Sequence, residues 1–415
     1  MSDLDPTPAT IPLSADPDGH DLPRPRTLPP HVLRAGADVA RFYSTFARGA
    51  DVPALAGVVL FGWRALAMLL VMAATAAIAT RVWQHVGARG RQLHASHVAW
   101  NLLLLWLVLP AHLLANAAPG HRIDPWPIPI AASVLLVIMM WLLGGVGSGR
   151  IHPVLATYLL TFALFESLLA PTAVLQRDRL FLGDVTRAAA PLTPAHAYNK
   201  DGYLKTPAVP DHDALLLEPP ASRLISFTSG SRRPGRAWLS LESLLRDEMP
   251  PLEDLIIGGH PAPIGTACAV AVIIGGLYLL YRGVIDFRVP LCVLIGAYVA
   301  LVLLPVPTLI RDSGPQWQWA AFRDAANVGW AKVATLANYQ VMSGPLLLVT
   351  FFFATAPILR PMARRARVIY GLLVGVAAAG FQLYLSIPIG PYLAVLVVSL
   401  LTPLLDRTFR QHPLV

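Results

Sequence analysis

Charge is scarce in this chain. Only 13% of its residues are Asp, Glu, Lys or Arg, about half the share of a soluble domain of similar size. The apolar residues, 55% of the total, come in long blocks, which argues against a large soluble enzyme. Cysteine is almost missing. Cys268 and Cys292 both lie inside apolar runs, with no CxxC or CxxCH pair, so no cysteine-ligated zinc, iron–sulfur site or c-type haem is expected. A Walker loop, a Rossmann glycine fingerprint and a Gly-x-Ser-x-Gly elbow are absent as well. ATP-driven transport and direct NADH oxidation by this chain are therefore not expected. Residues 1–30 are poor in apolar side chains and rich in Pro, Asp and Thr. They are expected to form a disordered cytoplasmic tail rather than a cleaved signal peptide.

What the chain has is hydrocarbon, with a mean hydropathy of +0.57. The stretch Pro263 to Leu291 carries the clearest message. An apolar run ends at Tyr281-Arg282-Gly283, and Arg288-Val289-Pro290 opens the next. About 20 apolar residues suffice to cross a bilayer. The paired Gly275 and Gly276 sit where small residues let helices pack closely in lipid. Nine clear spans and one weaker one follow from this pattern. The weaker span covers Phe42–Gly62. The others are Trp63–Val82, Val98–Ala117, Pro127–Gly147, Pro153–Leu175, Pro263–Tyr281, Val289–Leu309, Ser343–Leu359, Val368–Ile387 and Pro391–Leu405.

Arginine placement orients them. With ten spans, Arg81, Arg89 and Arg91, then Arg150, Arg282 and Arg288, Arg360, Arg364, Arg365 and Arg367, and Arg407 and Arg410 all face one side, the cytoplasm. Both termini are then cytoplasmic. The net charge of +8 is explained by this membrane topology rather than by nucleic acid, which is not an expected partner. The fold class expected is all-α: a polytopic membrane protein with membrane halves at 31–175 and 263–415. A long irregular external loop occupies 176–262, and a second external loop 310–342. Trp317, Trp319, Phe322 and Trp330 in the second loop read as interfacial anchors or as a stacking surface for a flavin or partner. His94 and His97, at i, i+3 spacing, read as interface histidines. Asp211, His212, Asp213 and Glu218 are too few and too irregularly spaced for a cation site.

Several segments resemble one family in order and spacing. Leu142 to Leu160, LLGGVGSGRIHPVLATYLL, is similar to a Gly-Gly-x-Gly-x-Asn-x-x-Asn-Pro signature, with Gly144, Gly145, Gly147 and Pro153 kept. PLLLVTFFFATAPILRPMARRARVIYGLLVGV and Ser399 to Arg407 match later segments. From about Leu28 onward the chain resembles the D subunit of Rnf-type electron-transport complexes and the related B subunit of sodium-pumping NADH:quinone oxidoreductases. The resemblance implies ten helices in two repeated five-helix halves, a bacterial inner-membrane location, other membrane subunits as partners, and electron transfer through flavin.

It also implies FMN, linked through its phosphate to a Thr at a Ser-Gly-Ala-Thr-like motif in the large external loop. Riboflavin or quinone can sit among the helices. The matching piece is Phe227-Thr228-Ser229-Gly230-Ser231-Arg232. Aligned on Ser-Gly, the acceptor position is Arg232; shifted by one, it is Ser231. Ser231 is the first acceptor expected and Thr228 the second, with Ser229 and Gly230 completing the turn and Arg232, Arg233 and Arg236 near enough in sequence to neutralise a phosphate. An ordinary polar turn is the competing reading. Gly144, Gly145, Gly147 and Gly265 are expected to permit close approach of helix and cofactor.

Two family acids are replaced, by Thr266 after Ile264-Gly265 and by Ala356 in Ala354-Thr355-Ala356-Pro357. Glu166 is the remaining intramembrane acid and the candidate for an ion path. The losses argue against ion pumping. They leave open a flavin-free scaffold or small-molecule transporter of the same fold.

Overall fold

The computed structural model describes residues 36–86, 95–114, 126–143, 151–169, 173–176, 214–217, 219–229, 239–258, 260, 262–311, 314–319, 329–385 and 388–409. Helix dominates them. The first five long helices are α1 (Gly36–Phe61), α2 (Trp63–Val86), α3 (Ala95–Val108), α4 (Pro127–Leu142) and α5 (Pro153–Leu164), and a short α6 (Glu166–Leu169) follows. Their limits have local causes. Gly62 takes a positive φ of 72° between α1 and α2, a conformation that costs glycine little. Pro127 and Pro153 open α4 and α5, where a missing N–H is harmless. His152 caps α5, accepting the Val154 N–H on Nδ1 at 3.3 Å.

Next come β1 (Ala173–Gln176), β2 (Ala214–Leu217), α7 (Pro220–Thr228), β3 (Leu239–Ser240) and α8 (Leu252–Ile257). The second set of long elements is α9 (Ala269–Tyr281), α10 (Arg288–Leu303), β4 (Pro305–Arg311), β5 (Gly314–Trp319), α11 (Gly329–Met342), α12 (Leu346–Leu348, continued by a π turn over Val349–Phe353), α13 (Arg364–Tyr384), α14 (Gly390–Ser399) and α15 (Thr402–Thr408).

Each expected span has a helix, yet the tertiary structure redraws several ends. The third was expected to reach Ala117 but stops at Val108, where Pro110 bridges Pro263 and the Ile264 N–H bonds to Leu109 O at 3.2 Å. The fifth was expected to reach Leu175 but stops at Leu164. The seventh ends at Leu303, since Pro305 and Pro307 cannot continue an α-helix. The segment 310–342, expected as loop, holds a hairpin and α11. α11 and the helix after it form one bent pair, Ala331–Met342 and Leu346–Phe353, at 64°. The described parts of the loop 176–262 are likewise regular rather than irregular. β1 pairs antiparallel with β2, while β3, β4 and β5 form an antiparallel sheet that ties the two expected external loops together. These strands qualify the all-α expectation without changing the helical character of the molecule.

Among the described residues, Trp63–His85 and Arg364–Tyr384 are long and apolar enough to cross a membrane alone. Two bent pairs qualify jointly, and five further apolar helices are shorter. The outward faces are greasy: Leu55, Leu66, Leu70, Ile274, Ile295 and Val376 are all exposed, as expected where lipid is the solvent. Inside, α10 and α13 approach so closely that a Cβ at Gly375 would lie 2.6 Å from the Ala297 nitrogen and meet Val293 O. α1 packs on α9, and α5 on α14. The core centres on Phe46, Trp106, Phe352, Phe353, Tyr370 and Tyr392.

Candidate functional site: the inter-helix cavity and the turn after α7

Helix α7 carries the approach to the expected phosphate acceptor. It is nine residues long, begins at Pro220 and buries Leu224 and Phe227. Thr228 ends it, and its hydroxyl, itself buried, donates to Ile225 O at 3.0 Å. That hydroxyl is spent within its own helix turn. Ser229 follows as the C-cap and is exposed, with its Oγ donating to Ser226 O at 3.0 Å. Gly230, Ser231 and Arg232 lie outside the described residues, as do Gly144, Gly145 and Gly147.

Gly265 is described, and its role is packing. A Cβ there would lie 2.7 Å from Leu107 Cβ and 2.9 Å from Leu107 O, so glycine lets the 264–266 turn lie against α3. Glu166 is exposed and opens α6 where the helix breaks at Phe165. The two positions where the resemblance leads one to expect acids are both interior. Thr266 donates to Pro263 O at 3.2 Å, and Ala356 is buried.

The breaks after α3 and between α11 and α12 face one another across a cavity of about 50 Å³. Val108, Pro110 and Pro263 bound one side, Ser343, Gly344 and Pro345 another, and Ser222 of α7 reaches in from a third. Tyr158 of α5 and Tyr392 of α14 complete it, with ring centroids 5.1 Å apart. Aromatic contacts lead away from it: Tyr392 to Phe353 at 5.6 Å, then Phe353 to His152 at 5.3 Å. None of its described lining residues is charged. Sequence reading missed this site. Its one available signal was polar residues such as Gln340 and Gln382 inside otherwise apolar helices.

At the far end of the bundle, the cationic turns meet. Asp286, between α9 and α10, accepts from Arg367 at 2.8 Å and from the Arg288 backbone N–H at 3.2 Å. Burial alone would raise its carboxyl, but the Arg367 hydrogen bond, the Arg288 N–H and both guanidinium charges outweigh it and hold the carboxyl below its usual range. Burial and Arg367 lower Arg360 to about 10, against the pull of Asp286. Near the opposite end, His260 is buried with Nδ1 3.4 Å from Asp254 O, and burial lowers it to about 4.

A sequence model of the NQR2, RnfD, RnfE family matches residues 27–414. Among curated proteins, the D subunit of the Na(+)-translocating ferredoxin:NAD(+) oxidoreductase complex of Acetobacterium woodii is 23% identical over 316 residues, covering 75% of this chain and 72% of the relative. The D subunit of the ion-translocating oxidoreductase complex of Aeromonas hydrophila is 24% identical over 365 residues, covering 84% and 87%. Its counterpart in Halorhodospira halophila is 24% identical over 371 residues, covering 88% of each chain.

Proposed function

Since the chain belongs to the NQR2, RnfD, RnfE family, we propose that it is a multi-pass subunit of a bacterial inner-membrane electron-transport complex, working beside other membrane subunits. The observation that carries this reading is the extent of the family match, which runs from residue 27 to residue 414 rather than over one segment. Ten spans in two five-helix halves, with both termini in the cytoplasm, complete the picture. The packing of α1 on α9 and of α5 on α14, first against first and last against last, supports the repeat.

FMN is the cofactor of this reading, held through its phosphate at Ser231. Bound there, it supplies one- and two-electron redox chemistry that side chains lack. The exposure of Ser229, two positions before Ser231, supports the placement. Arg232, Arg233 and Arg236 follow at once to neutralise a phosphate. The cavity of about 50 Å³ has room for a few waters and not for a tricyclic ring, so neither this flavin nor a riboflavin or quinone is assigned to it. Cation coupling is not part of the reading: Thr266 and Ala356 stand where the resemblance leads one to expect acids, and Glu166 faces outward.

The second reading is a flavin-free scaffold or small-molecule transporter of the same fold, favoured by the inward commitment of the Thr228 hydroxyl. Intact mass and in-gel fluorescence of the denatured chain separate the two. An FMN-sized mass increment lost in Ser231→Ala and kept in Thr228→Ala supports the first. An unmodified chain free of flavin after native purification supports the second.

A further inference from the structure

We propose that the cavity between α3, α5, α7 and the α11–α12 break is a binding site for a small uncharged molecule bearing both a hydrogen-bond donor and an acceptor, of the size and class of a primary amide, with water as its resting occupant.

Three hydroxyls carry the argument. Ser222, Ser343 and Tyr392 line the cavity, and each is more than nine-tenths buried. Among the described residues, none is a hydrogen-bond partner to Ser222 Oγ, Ser343 Oγ or Tyr392 Oη. A buried polar group without a partner is costly, and native proteins rarely tolerate several together. Here the three belong to three different elements that border one space. The polar character continues past Gly344, where a Cβ would lie 3.1 Å from Gln382 Nε2. Gln382 spends that nitrogen on Gln340 O at 2.8 Å. Its own Oε1 and the whole Gln340 side-chain amide have no partner among the described residues. Gln340 is fully buried and Gln382 nearly so.

The class of occupant follows from the lining. Hydroxyls both donate and accept, so they suit a molecule that does the same. The described lining offers no carboxylate or guanidinium to balance an ion, and an ion taken from water without compensation is strongly disfavoured. The volume of about 50 Å³ has room for roughly three to five water-sized molecules, which limits the occupant to a few heavy atoms. This site does not depend on the flavin reading, because among the described residues of the expected acceptor turn, Phe227, Thr228 and Ser229, none lines it.

The test uses the purified full chain in detergent, with acetamide as the probe. A dry slot and an occupied one respond oppositely to loss of a hydroxyl. In a dry slot Tyr392→Phe and Ser343→Ala relieve an unpaired group, and Tm rises or stays level. In an occupied one they remove a bond, and Tm falls by about 2–4 °C each. The expected result is that fall, together with a rise in wild-type Tm as acetamide is titrated into the millimolar range and a smaller rise in Ser222→Ala/Ser343→Ala. Level or rising Tm in the hydroxyl variants overturns the site. So does an acetamide effect equal in wild type and variant, or no effect at all. Protection by Na⁺ over choline in place of acetamide overturns the uncharged assignment.

Discussion

Arg367 donates from Nη1 to Oδ2 of Asp286 at 2.8 Å, fastening the start of α13 to the turn between α9 and α10. The same guanidinium also donates to Pro361 O and Met362 O, at 3.0 Å each. One side chain thus closes the turn before its own helix and clamps a neighbouring one.

Asp286→Asn keeps the shape and removes the charge. The pair is partly solvated, so a loss of about 1–2 kcal/mol is expected at neutral pH. Because the native carboxyl titrates below its unfolded value, this stability is present above about pH 4. It is lost as pH falls through the lower native value. Thermal unfolding of wild type and variant from pH 7 to pH 3 should therefore converge in acid, and a gap that persists unchanged at pH 3 would contradict the assignment.

His260 predicts a second pH dependence, in a different window. Folding holds it neutral, with its value lowered to about 4 by burial, while the unfolded chain titrates near 6.5. Above about pH 6.5 both states are neutral and nothing is lost. Between about 6.5 and 4 the unfolded state alone takes the proton, so stability declines as pH falls, by up to about 3 kcal/mol. His260→Gln should flatten the stability curve across that interval.

Two glycines of one helix should answer oppositely to alanine. At Gly375 the new methyl meets Val293 O and Ala297 N, and overpacking of this kind costs about 1–3 kcal/mol. At Gly380 nothing lies within 4 Å, so the gain in helix propensity, about 0.5–1 kcal/mol, should stand alone. Lower Tm for Gly375→Ala beside unchanged or higher Tm for Gly380→Ala is the expected pair. Equal effects would mean that α10 and α13 are not in close contact.

The proposed topology predicts which residues a membrane-impermeant thiol reagent reaches. With Cys268 and Cys292 replaced by Ala, Arg282→Cys should label from the cytoplasmic side and Ser229→Cys from the opposite side of intact spheroplasts. Both sites are exposed. Labelling of both from one side rules out the ten-span arrangement.

Much of the architecture was readable because lipid imposes a one-dimensional rule. Apolar runs between cationic turns located α2 and α13 within four residues at each end. Helix ends were read worse. The rule measures greasiness, not direction, and the turn at Pro110 and the strand at Pro305 are as apolar as the helices they end. The site fared likewise. An acid in an apolar run, Glu166, could be picked out by composition, whereas its exposure at the break after Phe165 could not. Tyr392 and Ser343 gave no signal, since tyrosine and serine are ordinary in membrane helices.

The length and order of the apolar runs were enough to indicate a helical membrane protein and the order of its segments, since both depend on what each segment exposes to its solvent. Which breaks face one another, and which hydroxyls meet across them, was decided by the packing of α3, α5, α7, α11 and α14. Side chains 170 positions apart, Ser222 and Tyr392, share a cavity because tertiary contacts bring them together, and nothing local in the chain encodes that distance.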